Sequence, residues 1–309
     1  MIFPVYIVEV SEERFIPLKN NQQEFYPVAL TIAGSDSGGG AGIQADLRTF
    51  SAAGVYGCSV ITAVTAQNPR KVISYEAVSC ELLKAQYEAV ISTIAVKAIK
   101  VGMLANESIV KCLCKCLKNN KLPLVVDPVM ISTSNTPLLD EKGLVAVKEL
   151  LLPMADMITP NLPEAQWLLN RKLASFDDYA EAAMELAGIY KCHVLLKTGH
   201  APNTGKASDV VVLDGKCYLL SSPVVNDLGE FTAHGTGCTL SSAITAMLAS
   251  NSSWKDALKA AKAYVYGSLC ETAVIGKELD AMYPPLDDYS SMVSLTPYDK
   301  NGRKVKGKK

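Results

Sequence analysis

The sequence predicts an α/β protein with a mostly parallel central sheet, helices on both faces and an antiparallel hairpin at one edge. Short apolar runs rich in β-branched residues alternate with helical segments along most of the chain, which is typical of a parallel sheet buried on both faces. Asp214-Gly215 separates two such runs and indicates the hairpin. Polar or glycine-rich segments follow several runs, where open α/β sheets bind ligands.

The first half of the chain reads as repeated strand–helix units. The apolar run 27–34 ends in glycine, and after a glycine-rich loop a helix is expected over 43–53. The same patterns predict further strands at 55–66, 98–104 and 123–127, and helices at 81–95, 107–117 and 141–152. Pro153 stops the last of these helices.

The second half continues the alternation. Ser175 and Asp178 form a capping box that opens a helix ending at Tyr190. The remaining predicted strands are 156–159, 194–197, 209–213 and 217–220, and the remaining helices are 163–169, 237–249 and 254–270.

We expect a single domain over 28–290, preceded by an extension (1–27) with a β-like run at 5–10. The segment 291–309 is expected to be a disordered basic tail, because its last nine residues carry five positive charges and no acid. The net charge of −1 disfavours a general nucleic-acid surface. Neither a secretory signal pattern nor a membrane-spanning apolar stretch is evident.

The nine cysteines show no disulfide framework, so we expect a reducing, cytoplasmic environment. Cys112, Cys114 and Cys116 lie within one predicted helix, where alternate residues point to different faces. They are therefore interpreted as core residues rather than as a metal cluster.

The loop 35–42 follows the first strand and is rich in glycine, but it lacks both familiar nucleotide motifs. It contains no G-x-x-x-x-G-K-[ST], which excludes a P-loop, and Ile43 breaks the G-x-G-x-x-G pattern.

The stretch 233–243 has the sequence of a tight turn that enters a helix. Gly235, Thr236 and Gly237 would let the backbone approach an anion, which the first-turn N–H groups and the helix dipole favour. Cys238 in that turn would have a lowered pKa and could act as a base or nucleophile. The alternative, equally open on this stretch alone, is a glycine-rich cap with Cys238 as a small apolar residue.

Polar residues collect at the predicted strand ends. Asp127 closes one strand, residues 161–164 follow another, and Lys197 closes a third. Carboxylates for magnesium beside an anion-binding turn are what phosphoryl transfer requires. The sequence therefore favours an ATP-using kinase.

Six motifs in order give the chain a resemblance to the hydroxymethylpyrimidine/phosphomethylpyrimidine kinases of thiamin biosynthesis, in the ribokinase-like superfamily. The motifs are LTIAGSDSGGGAGIQADL (30–47), AVTAQN (63–68), VGML (101–104), VDPVM (126–130), TPNLPEA (159–165) and HGTGCTLS (234–241). The resemblance covers about 28–270. It implies a ribokinase-like fold, ATP and Mg²⁺ as cofactors, and a homodimer. It also implies two successive phosphorylations, of the small pyrimidine alcohol 4-amino-5-hydroxymethyl-2-methylpyrimidine and then of its monophosphate to the diphosphate.

The resemblance also implies where the acceptor binds. Asp46 and Gln67 match the positions that hydrogen-bond the aminopyrimidine, and an acid with an amide suits its ring nitrogen and exocyclic amine. Met103, Val129 and Gly34 match positions around the ring, although a plain core role for Met103 or Val129 is equally open.

On the nucleotide side, the resemblance places Asp127 and Glu164 near Mg²⁺ and the phosphates. Lys197 would neutralise phosphate, and the adjacent Thr198 would bind the nucleotide. Asn161 either contacts phosphate or caps a helix. Residues 235–237 would form the anion hole, and Cys238 matches the catalytic base.

Two departures from the family pattern bear on nucleotide affinity and the second phosphorylation. Residues 132–135 contain no lysine, and Lys-Gly-Gly-His becomes Lys197-Thr198-Gly199-His200. Three alternatives remain: a pyridoxal kinase of the same fold, a ligand-binding homologue with weakened catalysis, and, more weakly, a cysteine hydrolase using Cys238 and His234.

Overall fold

A computed structural model describes residues 26–131, 136–199, 205–226, 228, 234–277 and 279–298. Twelve strands lie in this part of the chain. They are β1 (Val28–Ser35), β2 (Tyr56–Asn68), β3 (Lys71–Ala77), β4 (Ala98–Val101), β5 (Leu124–Val126), β6 (Met157–Ile158), β7 (His193–Leu196), β8 (Lys206–Leu213), β9 (Lys216–Pro223), β10 (Ala273–Gly276), β11 (Leu279–Ala281) and β12 (Ser294–Pro297).

Ten of these strands form one sheet, in the order β12-β9-β8-β7-β6-β5-β4-β1-β2-β3. The pairs from β7 through β2 are parallel, whereas β3 at one edge and β8, β9 and β12 at the other pair antiparallel. The predicted α/β class, with its mostly parallel sheet and antiparallel edge hairpin, is confirmed. β10 and β11 form a separate small hairpin.

Within the same described ranges, eight α-helices cover the sheet in two layers. They are α1 (Gly42–Ala52), α2 (Cys80–Ile91), α3 (Glu107–Leu117), α4 (Glu141–Ala146), α5 (Leu162–Leu169), α6 (Phe176–Tyr190), α7 (Thr236–Ala249) and α8 (Trp254–Cys270). Residues of α1, α7 and α8 pack on one face, and residues of α2 to α6 pack on the other. The sheet strands contribute alternate side chains to the two cores, which is why both faces of each central strand are apolar.

Helix ends follow the capping signals in the sequence. Asn106, Asp140, Ser175 and Ser253 each accept a hydrogen bond from a first-turn N–H of the helix that follows. The predicted helix 141–152 is α4 continued by a wider turn at Val147–Leu151 and a tight turn at Leu152–Met154. The three clustered cysteines of α3 pack against the core, as expected.

Four of the described strands, β3, β10, β11 and β12, were not predicted from the sequence. β3 is exposed along most of its length, so it lacks the apolar alternation that reveals a half-buried strand. β12 pairs with β9, Leu295 packs in the core, and the Tyr298 hydroxyl donates to Asp177 at 2.6 Å. β12 therefore lies within the segment 291–309, C-terminal to the boundary expected at 290.

Several expectations concern residues outside the described part. They are most of the extension 1–27 with its run at 5–10, residues 132–135, His200, Ala233 and the basic residues from 299 onward. Within the described ranges, no helix combines the length and apolarity needed to cross a bilayer.

Candidate active site

A cavity of about 460 Å³ opens at the carboxyl ends of the parallel strands, beside the start of α7. This is where an open α/β sheet binds ligands, because loops diverge there and helix N-termini point inward. Every residue predicted for the site except Asp46 lines this cavity. They are Gly34, Gln67, Met103, Asp127, Val129, Asn161, Glu164, Lys197, Thr198, Gly235, Thr236, Gly237 and Cys238.

The turn into α7 depends on glycine. Gly235 is the N-cap residue with a φ of 84°, and a Cβ there would lie 1.9 Å from the carbonyl oxygen of Gly40. The loop after β1 and the turn before α7 therefore pack backbone against backbone. A Cβ on Gly237 would lie 3.1 Å from Lys197 Nζ, so this turn also lies against the Lys197 side chain. The arrangement has the features of an anion cradle.

Cys238 lines the cavity from the first turn of α7. Burial raises the pKa of its thiol above the ordinary value, and although Lys100 acts in the opposite direction, the net shift is upward. The expectation of a lowered pKa is therefore wrong. A helix N-terminus favours the thiolate, but here burial and the carboxylates of Asp46 and Asp127 outweigh that preference.

Asp46 lies beneath the cavity rather than in its wall. Its side chain is fully buried, and Lys100 Nζ donates to its two oxygens at 2.9 and 2.8 Å. Thr31 Oγ1 donates at 2.6 Å and Ser242 Oγ at 2.5 Å. Because both oxygens are occupied, the expectation that Asp46 hydrogen-bonds an aminopyrimidine is corrected: in this structure it is the counter-ion of Lys100 and ties α1 to α7.

Lys100 was not anticipated from the sequence, yet it lines the cavity close to Cys238. Burial opposes its positive charge, but Asp46, with Cys238 and Asp127, raises its pKa above the ordinary value. The signal was a lysine within the apolar run of β4, where a buried cation needs a partner.

Asp127 and Lys197 form a charged pair in the cavity wall beside the turn into α7. Asp127 is 1% exposed, and its Oδ1 accepts from Lys197 Nζ at 2.7 Å and from Thr159 Oγ1 at 3.1 Å. Burial opposes the charge of Lys197, but Asp127 and Glu164 raise its pKa. The other oxygen of Asp127, Oδ2, is buried and has no hydrogen-bond partner within the described residues. A carboxylate oxygen in that state fits a hard cation.

Glu164 and Asn161 are linked by the capping box of α5. The Asn161 side chain accepts from the Glu164 N–H at 2.8 Å, and Glu164 Oε2 accepts from the Asn161 N–H at 2.7 Å. Asn161 is thus a helix cap that also lines the cavity. Burial raises the pKa of Glu164 to about 7; Lys197 opposes this shift and Asp127 adds to it.

The side of the cavity lined by Met103 and Val129 is mostly apolar. Met103 packs with Ala63, Leu138 and Val129, and a Cβ on Gly34 would lie 2.9 Å from the Met103 sulfur. Met103 and Val129 therefore have a core role and line the cavity as well. Gly34 is required for the close approach of the Met103 side chain.

His234 and Asp36 form a pair at the cavity wall that the sequence interpretation did not use. His234 Nε2 lies 3.4 Å from Asp36 Oδ2 and 3.5 Å from Gln67 Nε2. Burial alone would raise the pKa of Asp36, but its contact with His234 and the N–H groups of Ala41 and Gly38 lower it. The sequence held one signal for this pair: His234 directly precedes the turn at 235–237.

Thr198 lines the cavity, but its hydrogen-bond donors are directed away from it. Its N–H donates to Asp209 Oδ1 at 3.1 Å, and its hydroxyl donates to the carbonyl oxygen of Ser208. The expectation that Thr198 binds the nucleotide is therefore not supported for these two donors.

Comparisons with known proteins identify relatives of this chain. A family model described as phosphomethylpyrimidine kinase matches residues 36–282. The hydroxymethylpyrimidine/phosphomethylpyrimidine kinase of Rhizobium meliloti (strain 1021) is 46% identical over 245 residues, 78% of this chain and 90% of the relative.

Solved structures show the same fold. The phosphomethylpyrimidine kinase of Clostridium difficile 630 is 40% identical, with a TM-score of 0.68 over 77% of this chain and 97% of that one. The pyridoxal kinase of Staphylococcus aureus in complex with AMP-PCP and pyridoxal is 31% identical, with a TM-score of 0.75 over 89% and 100%.

Proposed function

The chain belongs to the phosphomethylpyrimidine kinase family, and on that premise we propose that its cavity uses ATP to phosphorylate 4-amino-5-hydroxymethyl-2-methylpyrimidine and then the monophosphate. The observation that carries the proposal is one cavity joining an anion-binding turn, a charged wall at Asp127 and Lys197, and an apolar acceptor side. The products are the pyrimidine monophosphate and diphosphate, with ADP released in each step, as in thiamin biosynthesis.

The nucleotide phosphates would lie between the turn at 235–237 and Lys197. Asp127 and Glu164 are the residues that would hold Mg²⁺, and the unpartnered Oδ2 of Asp127 fits this donor role. Bound Mg²⁺ would neutralise charge on the phosphates. Lys197 supplies a cation fixed by Asp127, and the N–H groups of the turn stabilise charge that develops on the transferred group.

The pyrimidine would bind between Gln67, Met103 and Val129, with its hydroxymethyl group toward Cys238. The Cys238 thiolate accepts the hydroxyl proton while that oxygen attacks the γ-phosphorus and the bond to the β–γ bridging oxygen breaks. The proton remains on sulfur, and ADP carries away the electron pair of the broken bond. The raised pKa of Cys238 makes the thiolate scarce at neutral pH but a strong base once formed.

Product analysis tests this proposal directly. Purified protein with ATP, Mg²⁺ and the pyrimidine alcohol should yield monophosphate and then diphosphate, resolved by anion-exchange chromatography. Cys238→Ala serves as the matched variant, because it removes the base and leaves the turn backbone in place. Absence of ADP release with all pyrimidine and pyridoxine-type alcohols would favour a ligand-binding protein instead.

Pyridoxal kinase activity is the second candidate, favoured by the likeness to the pyridoxal kinase of Staphylococcus aureus. The same assay with pyridoxal separates the two. A kcat/KM for pyridoxal far above that for the pyrimidine alcohol would make pyridoxal the substrate.

We also propose that the protein is a homodimer. Among the described residues the edge strand β3 pairs only with β2, and it presents Ile73 and Tyr75, which are 65% and 37% exposed. Light scattering should give a dimer mass for the wild type and a monomer mass for Ile73→Lys.

The nine free cysteines accord with a reducing compartment, the cytoplasm.

A further inference from the structure

A buried ion pair lies behind the phosphate-binding edge of the cavity. Asp209 on β8 is 4% exposed, and its Oδ2 accepts from Lys262 Nζ of α8 at 2.7 Å. Its Oδ1 accepts from the backbone N–H of Thr198 at 3.1 Å. The carboxylate therefore joins α8 to the segment 197–199, which lines the cavity.

This contact replaces a strand-to-strand hydrogen bond. The ladder between β7 and β8 ends at the pair Leu196 and Val210. Beyond that point the Thr198 N–H donates to the Asp209 side chain, while the Thr198 hydroxyl donates to the carbonyl oxygen of Ser208. Both Thr198 donors thus hold the segment against β8 instead of facing a ligand.

The neighbouring residues depend on where Thr198 is held. Lys197 directs its ammonium to Asp127, and its backbone N–H donates to Pro160 at 2.8 Å. Gly199 follows with a φ of 72°, in the left-handed region that favours glycine. A shift at Thr198 would move Lys197 relative to the anion turn, and misplacement of about 1 Å is costly in a phosphoryl-transfer site.

We propose that Asp209 is a positioning residue for the polyphosphate of a nucleoside triphosphate, acting through the Thr198 N–H, with Lys262 as its buried counter-ion. The identity of the ligand rests on the proposed kinase function. Asp209 does not contact the nucleotide: it fixes the backbone that presents Lys197. Lys262 is needed because an unpaired carboxylate at this depth would be strongly destabilising.

Two double variants test the proposal without leaving a buried charge unpaired. Asp209→Asn with Lys262→Gln keeps an oxygen acceptor for the Thr198 N–H and a neutral hydrogen-bonded partner for the amide. Asp209→Leu with Lys262→Met fills similar volume but removes the acceptor. Both are examined as full-length protein, with melting temperature and circular dichroism as controls of folding.

We expect the Asn/Gln variant to keep the wild-type KM for ATP within about twofold. The Leu/Met variant should raise the KM for ATP and the Kd of ADP, measured by calorimetry, about tenfold, which corresponds to ~1.4 kcal/mol. The KM for the acceptor should stay within about twofold in both variants. A merely structural role would lower the melting temperature and weaken both substrates together.

Three results would overturn the positioning role. They are unchanged ADP affinity in the Leu/Met variant, equal weakening in both variants, and equal loss of ATP and acceptor affinity. ADP calorimetry does not need turnover, so it separates this proposal from the kinase function. Wild-type protein that binds ADP without phosphorylating any alcohol would contradict the proposed function alone.

Discussion

Replacing Cys238 by alanine should affect the two phosphorylations unequally. The first acceptor is a neutral alcohol whose proton must leave, whereas the second is a phosphate with a pKa of about 6 that is already ionised at pH 8. General-base catalysis is worth roughly 10²- to 10⁴-fold, about 3 to 5 kcal/mol in the barrier. We expect Cys238→Ala to lower the first step by that factor and the second by less than about tenfold.

The rate of the first phosphorylation should increase with pH. The active form of Cys238 is the thiolate, its ordinary pKa is 9.0, and burial raises the folded value further. The rate of the first step should therefore rise about tenfold per pH unit between pH 7 and 9, since the thiolate fraction does so below the pKa. Cys238→Ala should flatten that rise, and the second step should be nearly flat in both proteins.

Rapid-quench single-turnover measurements, with each acceptor supplied separately, isolate the chemical step from product release. Cys270→Ala is the matched control, because Cys270 is an exposed thiol at the end of α8. Equal losses in both steps, or a first step whose pH slope survives in Cys238→Ala, would refute the assignment of this sulfur as the base.

Three further substitutions probe the turn, the acceptor side and the buried pair. Gly235→Ala should abolish kinase activity and lower the melting temperature, because a Cβ there would lie 1.9 Å from the Gly40 carbonyl oxygen; wild-type activity would contradict the packing. Gln67→Leu should raise the KM for the pyrimidine about fivefold and leave the KM for ATP unchanged, since a lost hydrogen bond costs about 1 kcal/mol. Steady-state kinetics with each substrate varied would detect the opposite pattern. Lys100→Met should destabilise the protein by about 3–5 kcal/mol in urea unfolding, because it strands the Asp46 carboxylate, and adding Asp46→Leu should recover most of the loss. Additive destabilisation in the double variant would rule out that coupling.

The order and type of most elements could be predicted because local signals were strong. The apolar runs of β1 and β5 and the capping residues Ser175 and Asn161 place strands and helices without tertiary information. β3 and β12 were missed because they are edge strands, whose exposed residues follow no clear alternation. β12 in addition depends on β9, a partner far along the chain.

All but one of the residues named from the sequence line the cavity, but their hydrogen-bond partners and pKa shifts could not be predicted. Asp46 could not be recognised as a counter-ion, because its partner Lys100 lies 54 residues away in a strand that otherwise looks apolar. The pKa of Cys238 was predicted with the wrong sign, because the helix N-terminus is a local feature whereas burial depends on the assembled fold. Thr198 is a similar case: its N–H donates to Asp209, a contact that local sequence does not reveal.

The two walls of the cavity differ in a way that separates chemistry from substrate choice. Asp127 and Lys197 form a fixed charged pair on the nucleotide wall, and the turn before α7 lies against it. Met103 and Val129 on the acceptor wall carry no charge. Apolar substitutions beside them would therefore change the shape of the cavity without changing the charges around the transferred phosphoryl group. We therefore expect substitutions around Gln67 and this apolar wall to shift the preference between a pyrimidine and a pyridine alcohol. Such a separation would account for a shared fold among kinases named for phosphomethylpyrimidine and for pyridoxal.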